Sequence, residues 1–199
     1  MVQKTSMRKS TEEFKILSFK NSEEWNNWLS KNHSASNGIK IRFFKKDSGV
    51  KSITHSETLD EALCYGWIDG QLEKYDEKSW LRKFTPRRAR SIWSKKNIER
   101  VEKLIKLNKM KSSGLKEINE AKKDGRWKKA YDSPSNMKVP DDFLKELSKD
   151  KKALKFFESL NKANKYAIAW RLQTAKKPET RINRMNKLLD MLSRGEKLH

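Results

Sequence analysis

Cysteine is almost absent from this chain of 199 residues: Cys64 stands alone, which excludes an internal disulfide framework and a thiolate zinc cluster. Histidine is nearly as scarce. His199 is terminal, and neither His33 nor His55 sits at helical ligand spacing with another His, Cys or acid pair, so both read as surface or loop residues. Seven glycines leave little material for a phosphate-cradling loop, and no nucleophile elbow or dinucleotide fingerprint is present. We therefore expect no catalytic residue, no metal and no cofactor, and Cys64 reads as a buried structural thiol. No run approaches the ~18 apolar residues of a membrane span, and the start, MVQKTSMRKS, lacks an apolar core, so a soluble cytoplasmic protein without a membrane span is expected.

Large aliphatic residues are also few. Leu, Ile, Val and Phe make up 41 of 199 residues, near the level at which a highly charged chain fails to fold. Seven Trp and four Tyr compensate, because each large aromatic buries ~150–250 Å². The charge is +21, with 47 Lys and Arg against 26 Asp and Glu. Much of it is scattered lysine, a pattern that coding bias can produce. The uneven part carries more information. Glu57, Asp60, Glu61, Asp69, Glu73, Asp76 and Glu77 form an acidic strip interrupted by Lys74 alone. Arg82, Lys83, Arg87, Arg88, Arg90, Lys95 and Lys96 follow with no acid among them. A second basic stretch, Lys162 to Lys187, contains one acid, Glu179.

Hydrophobic periodicity predicts an α+β protein: a small antiparallel sheet with flanking helices, then a C-terminal all-helical part packed on it. Residues 1–12 read as a mobile tail, 13–110 as the α+β domain, 111–140 as a connecting helix and loop, and 141–196 as the helical segment. Strands are expected over Phe14–Phe19, Ile39–Phe44 and Val50–Ile53. Helices are expected after the capping signal Asn21-Ser22-Glu23-Glu24, over Ser56–Tyr65 with Gly66 as its stop, after Ser94, and over Leu115–Lys123. Past the loop Asp132–Pro140 the whole sequence reads helical.

The hairpin Trp67–Lys74 and Ser79–Phe84 is the most informative element. Alternation places Ile68, Gly70 and Leu72 with Leu81 on one face, and Trp67, Asp69, Gln71 and Glu73 opposite Trp80, Arg82 and Phe84 on the other. Such a sheet is either covered on both sides or exposes an aromatic platform. Asp69, if half buried, needs a partner, and Arg82 on the facing strand is the natural one. The segment from Arg82 to Lys96 joins arginine forks, a proline-stiffened loop, Trp93 and a helix start. It is the candidate anion site, together with Arg181, Arg184 and Arg171. The opposing possibility is that Trp93 is core and the arginines pair with the acidic strip.

Several of these residues fall into a familiar pattern. Glu61-Ala62-Leu63-Cys64-Tyr65-Gly66-Trp67-Ile68-Asp69-Gly70, Phe84-Thr85-Pro86-Arg87-Arg88, Trp93-Ser94 with Asn97, and Ala175-Lys176-Lys177-Pro178-Glu179-Thr180-Arg181 with Arg184, Leu192 and Gly195 resemble the YdeI/OmpD-associated, bacteriocin-protection family. The resemblance spans residues 14–196 and implies an N-terminal unit similar to the YjbR/CyaY-like superfamily. It implies no established reaction.

Three functions follow as expectations. The first is a non-catalytic binding protein contacting nucleic acid or another polyanion through Arg82, Arg87, Arg88, Arg90, Trp93, Lys95, Lys96, Arg181 and Arg184. With six to ten phosphate contacts its affinity would fall ~10³–10⁵-fold between 50 and 200 mM salt. The second is a stress or bacteriocin-resistance factor with a protein partner on the sheet face Trp67, Asp69, Trp80 and Phe84. The third is an enzyme with a pocket around Asp69 and Arg82. Oligomeric state is not legible.

Overall fold

The computed structural model describes residues 14–133 and 136–198. The tail expected over residues 1–12 lies outside them, as do Pro134 and Ser135 of the expected loop and His199. The chain divides into two compact units, the first comprising the described residues to Ser91 with Arg100–Lys123, the second Ile92–Glu99 with the described residues from Asp124 onward.

In the first unit the order is β1 (Ile16–Leu17), α1 (Ser22–Asn32), β2 (Ile39–Phe44), α2 (His55–Cys64), β3 (Trp67–Lys74) and β4 (Ser79–Pro86). Helix α3 (Lys95–Lys106) is divided between the units, and α4 (Ser112–Lys123) belongs to the first. The sheet runs β1-β2-β4-β3. It is α+β as expected and mixed: β1 pairs parallel to β2, because helix α1 supplies the crossover that a parallel pair requires. β2–β4 and β3–β4 are antiparallel. The strand expected at Val50–Ile53 is absent. Only Ile53 is drawn in, its N–H donating to the Phe19 carbonyl at 3.0 Å, so one buried side chain replaces a ladder.

Local sequence explains the helix starts. Asn21 accepts from the Glu24 N–H at 3.0 Å, while the Glu24 carboxylate reaches back one residue beyond the cap, to the Lys20 N–H. Thr54 and Glu57 form a reciprocal capping box that opens α2 one residue earlier than expected. Ser94 accepts from the Asn97 N–H at 3.1 Å and starts α3.

Period-two geometry sorts the sheet. Ile39, Ile41, Phe43, Trp80, Arg82, Phe84, Trp67 and Asp69 share the face on which α1 and α2 pack. Trp25 of α1 lies 5.9 Å from Phe84 and 6.3 Å from Trp67, both edge-on, and its indole N–H donates to the Thr58 carbonyl of α2 at 3.0 Å. The other face is crossed by the ion pairs Lys40–Glu73 and Arg42–Asp76, both 2.7 Å, and Lys83 sits 3.8 Å over the Phe14 ring. A register shift between Asp69 and Leu72 corrects the hairpin expectation: Leu72 falls opposite Arg82 and Glu73 opposite Leu81. Helices α2 and α4 interlock where the Lys111 N–H donates to the Cys64 carbonyl at 3.0 Å and Gly114 lies against that same carbonyl.

The second unit holds α5 (Asp141–Leu147), α6 (Lys151–Ser159), α7 (Lys162–Gln173) and α8 (Pro178–Ser193). Their apolar faces converge on Phe143, Leu147, Ala153, Phe157, Leu160, Ile168, Leu172, Leu188 and Leu192. Among the described residues no helix is long and apolar enough to cross a membrane.

Candidate functional site

Strand β4 and the loop after it position the arginines, and the structure separates them by environment. Arg82 points to the helix-covered face. Its Nη2 forms an ion pair with Asp69 Oδ2 at 3.2 Å, and its Nη1 donates to the Gly70 carbonyl at 3.2 Å. His55, the first residue of α2, joins this pair: its Nε2 lies 3.0 Å from Asp69 Oδ2 and 3.3 Å from Arg82 Nε. One ring nitrogen cannot donate to the carboxylate and accept from the guanidinium at once. The shorter contact assigns a proton to Nε2, aimed at Asp69. Burial works to raise the Asp69 carboxyl, but the hydrogen bond from His55 and the Arg82 charge outweigh it, and the group is held below its ordinary value.

The sign of the pH effect follows. A lowered carboxyl contributes stability that is fully present above its ordinary value of 3.8 and is lost as pH falls through the lower folded value. Arg82→Met is expected to cost about 1.5 kcal/mol at pH 7, because it strips the guanidinium from a carboxylate whose side chain is only 19% exposed. The variant removes one of the causes that hold the Asp69 carboxyl down, so that carboxyl rises relative to the parent and the deficit should shrink as pH falls through and below 3.8, as measured by urea unfolding. A deficit independent of pH would contradict this account.

Arg87 does not face solvent. It is 6% exposed, its N–H donates to the Gly66 carbonyl at 2.9 Å and its Nη2 lies 3.5 Å from Ser91 Oγ. Arg88, Ala89 and Arg90 are exposed. The Ser91 N–H donates to the Arg88 carbonyl at 3.0 Å, closing a tight turn whose third residue, Arg90, has φ 64°. That left-handed conformation normally goes to Gly or Asn.

The acids of the strip have other partners. Asp60 pairs with Arg100, Asp69 with Arg82, Glu73 with Lys40 and Asp76 with Arg42. Glu57 closes its own helix cap and Glu61 accepts from Asn26.

In the second unit Trp93 is core, 2% exposed and 5.1 Å from Trp127. Lys95 and Lys96 are exposed, Lys95 with an ion pair to Asp132 at 2.7 Å. Arg181 grips Asp142 through two bonds of 2.6 and 2.8 Å. Arg184 donates to the Arg171 carbonyl at 2.7 Å and so closes the end of α7. These two arginines are engaged in helix packing. On the sheet, Trp67 and Phe84 are 1% and 0% exposed, so the aromatic platform is covered by α1 and α2, and only Trp80, Asp69 and Arg82 stay half-buried at its edge.

Sequence reasoning missed His55, which it read as a surface residue. Its partner is 14 positions away on a strand, and only the Thr54–Glu57 capping pair hinted that His55 begins a helix. Cys64 is buried, and burial, then Glu61 and Asp60, push its thiol up to about 12, which leaves it an inert structural group. No group of three or more His, Cys, Asp or Glu among the described residues could hold a metal ion.

Residues 17–117, just over half of the chain, match the model of a domain of unknown function, DUF8412. The chain belongs to the DUF8412 family. In this DUF8412 protein, residues 136–195 carry a second domain, matching the family described as "Bacteriocin-protection, YdeI or OmpD-Associated". That match takes in the motif running from Ala175 to Gly195. The motif Glu61–Gly70 and the Arg82–Arg90 segment lie instead within the DUF8412 match. No curated protein and no solved structure matches this DUF8412 chain.

Proposed function

We propose that the protein binds polyanions, nucleic acid foremost, through the exposed turn Arg88-Ala89-Arg90 of the first unit and, separately, through the exposed lysines Lys95 and Lys96 of the second. The observation that carries the reading is the turn itself. An exposed arginine is kept at φ 64°, where glycine would remove strain of order 1–2 kcal/mol, and both arginines of the turn face solvent. The interface is smaller than the sequence implied, since Arg82, Arg87, Trp93, Arg181 and Arg184 have structural partners or burial. The substitution pair Arg88→Ala/Arg90→Gly tests it: binding to a short duplex at 100 mM salt, read by fluorescence anisotropy, should weaken about 10-fold or more. Unfolding free energy should not fall and should rise by up to about 1 kcal/mol, because the strain the glycine relieves exceeds the backbone entropy it adds. Undiminished binding would overturn the reading.

The match of residues 136–195 favours a second reading, a contribution to bacteriocin resistance. With Trp67 and Phe84 covered, such a role would use another surface than the sheet face. A deletion strain as resistant as its parent to a panel of bacteriocins would remove it. A likeness of the N-terminal unit to the YjbR/CyaY-like superfamily remains part of the proposal, supported by its α+β make-up.

A further inference from the structure

Helix α7 is apolar on two sides. Ile168 and Leu172 enter the core of the second unit, and Ala163, Tyr166, Ala167 and Trp170 recur at the 3-and-4 spacing of another face. With Arg171 they line a groove of about 430 Å³. Two alanines and two large rings line it, and Trp170 lies edge-on to Tyr131 at 6.3 Å.

The polar atoms of this groove have no use within the fold. Among the described residues, the Tyr166 hydroxyl, the Trp170 indole N–H and the Arg171 guanidinium make no hydrogen bond or ion pair. Burial, then the Tyr131 phenol, push the Tyr166 hydroxyl above the ordinary tyrosine range, so it stays a neutral donor. No acid lines the groove, and the segment Lys162 to Lys187 around it has Glu179 as its single acid. A purely apolar occupant would desolvate three donors without satisfying them, and a cationic one would meet Arg171. Flat rings joined by anionic groups satisfy the rings, the donors and the charge together. In a duplex the base faces are already stacked on one another, whereas a single strand offers them.

We propose that this groove takes unpaired bases of a single-stranded nucleic acid, stacked on Tyr166 and Trp170, with Arg171 on the phosphate. The site is separate from the Arg88–Arg90 turn and does not rest on it.

The test compares a 12-residue oligothymidylate with an abasic oligomer of the same phosphate count, both titrated into the full chain at 100 mM salt. Wild type should prefer oligothymidylate by about 10-fold or more, the low end of what stacking one or two bases supplies. Ala167→Glu fills the groove between the rings with a helix-compatible carboxylate and should abolish that preference. Asn183→Glu makes the same charge change at an exposed position of α8 and should keep it, with circular dichroism reporting the helix content of both. Equal binding of the two oligomers, or a preference that survives Ala167→Glu, overturns the groove and leaves the polyanion reading standing. Absence of binding to both overturns the two readings together.

Discussion

Trp25→Ala is expected to lower the unfolding free energy of the first unit by about 4 kcal/mol, the upper part of the range for emptying a buried indole site. Trp25 is fully buried and touches three aromatic neighbours beyond its own helix: Phe19 in the segment between β1 and α1 at 5.1 Å, Phe84 of β4 at 5.9 Å and Trp67 of β3 at 6.3 Å. It also stacks on Trp28 at 5.3 Å and ties α1 to α2 through Thr58. Truncation opens a cavity whose walls are rigid rings, and rings collapse into a void less readily than aliphatic chains. The chain has few large aliphatic residues to move in. Urea unfolding followed by circular dichroism is the measurement, and a loss below about 1.5 kcal/mol would mean that the aromatic cluster is not what holds α1 and α2 to the sheet.

Gly114→Ala should cost about 2 kcal/mol, against the direction that helix propensity gives. Within a helix, alanine is favoured over glycine by about 1 kcal/mol. At Gly114, however, a methyl group would collide with the Cys64 carbonyl oxygen and come within 2.8 Å of the Leu63 carbonyl oxygen, both backbone atoms that cannot swing aside. Overpacking of this kind costs about 3 kcal/mol, so the packing effect wins. The sign is decisive: a variant as stable as the parent, or more so, would show that α4 does not sit on the end of α2 at this distance.

The strands and helix starts were legible because their causes are local. Asn21, Ser94 and the Thr54–Glu57 pair announce helices within four residues, and alternation in Trp67–Lys74 and Ser79–Phe84 announces a hairpin. Asp69 and Arg82 could be paired on paper because they sit on facing strands. What failed to show was long-range or subtractive. A one-residue slip between Asp69 and Leu72 changes which side chains share a face, and no turn residue signals it. The close approach of Gly114 to Cys64 joins positions 50 residues apart. Charge runs conceal the most, since a count weighs every arginine alike. Arg87 is buried, Arg82 holds Asp69, Arg181 holds Asp142 and Arg184 closes a helix end, which leaves the turn at Arg88 and Arg90 as the part of the run that meets solvent with Lys95 and Lys96.

The central claim, that the exposed Arg88–Arg90 turn contacts phosphates, is tested most directly by the salt dependence of duplex binding. The two arginines of the turn predict that the logarithm of the association constant falls with the logarithm of salt concentration at a slope of about −1.8 or steeper, which is about 10-fold or more between 50 and 200 mM. In Arg88→Ala/Arg90→Gly the slope should become shallower by about 2. A slope near zero in the wild type, or the same slope in both proteins, would contradict the claim.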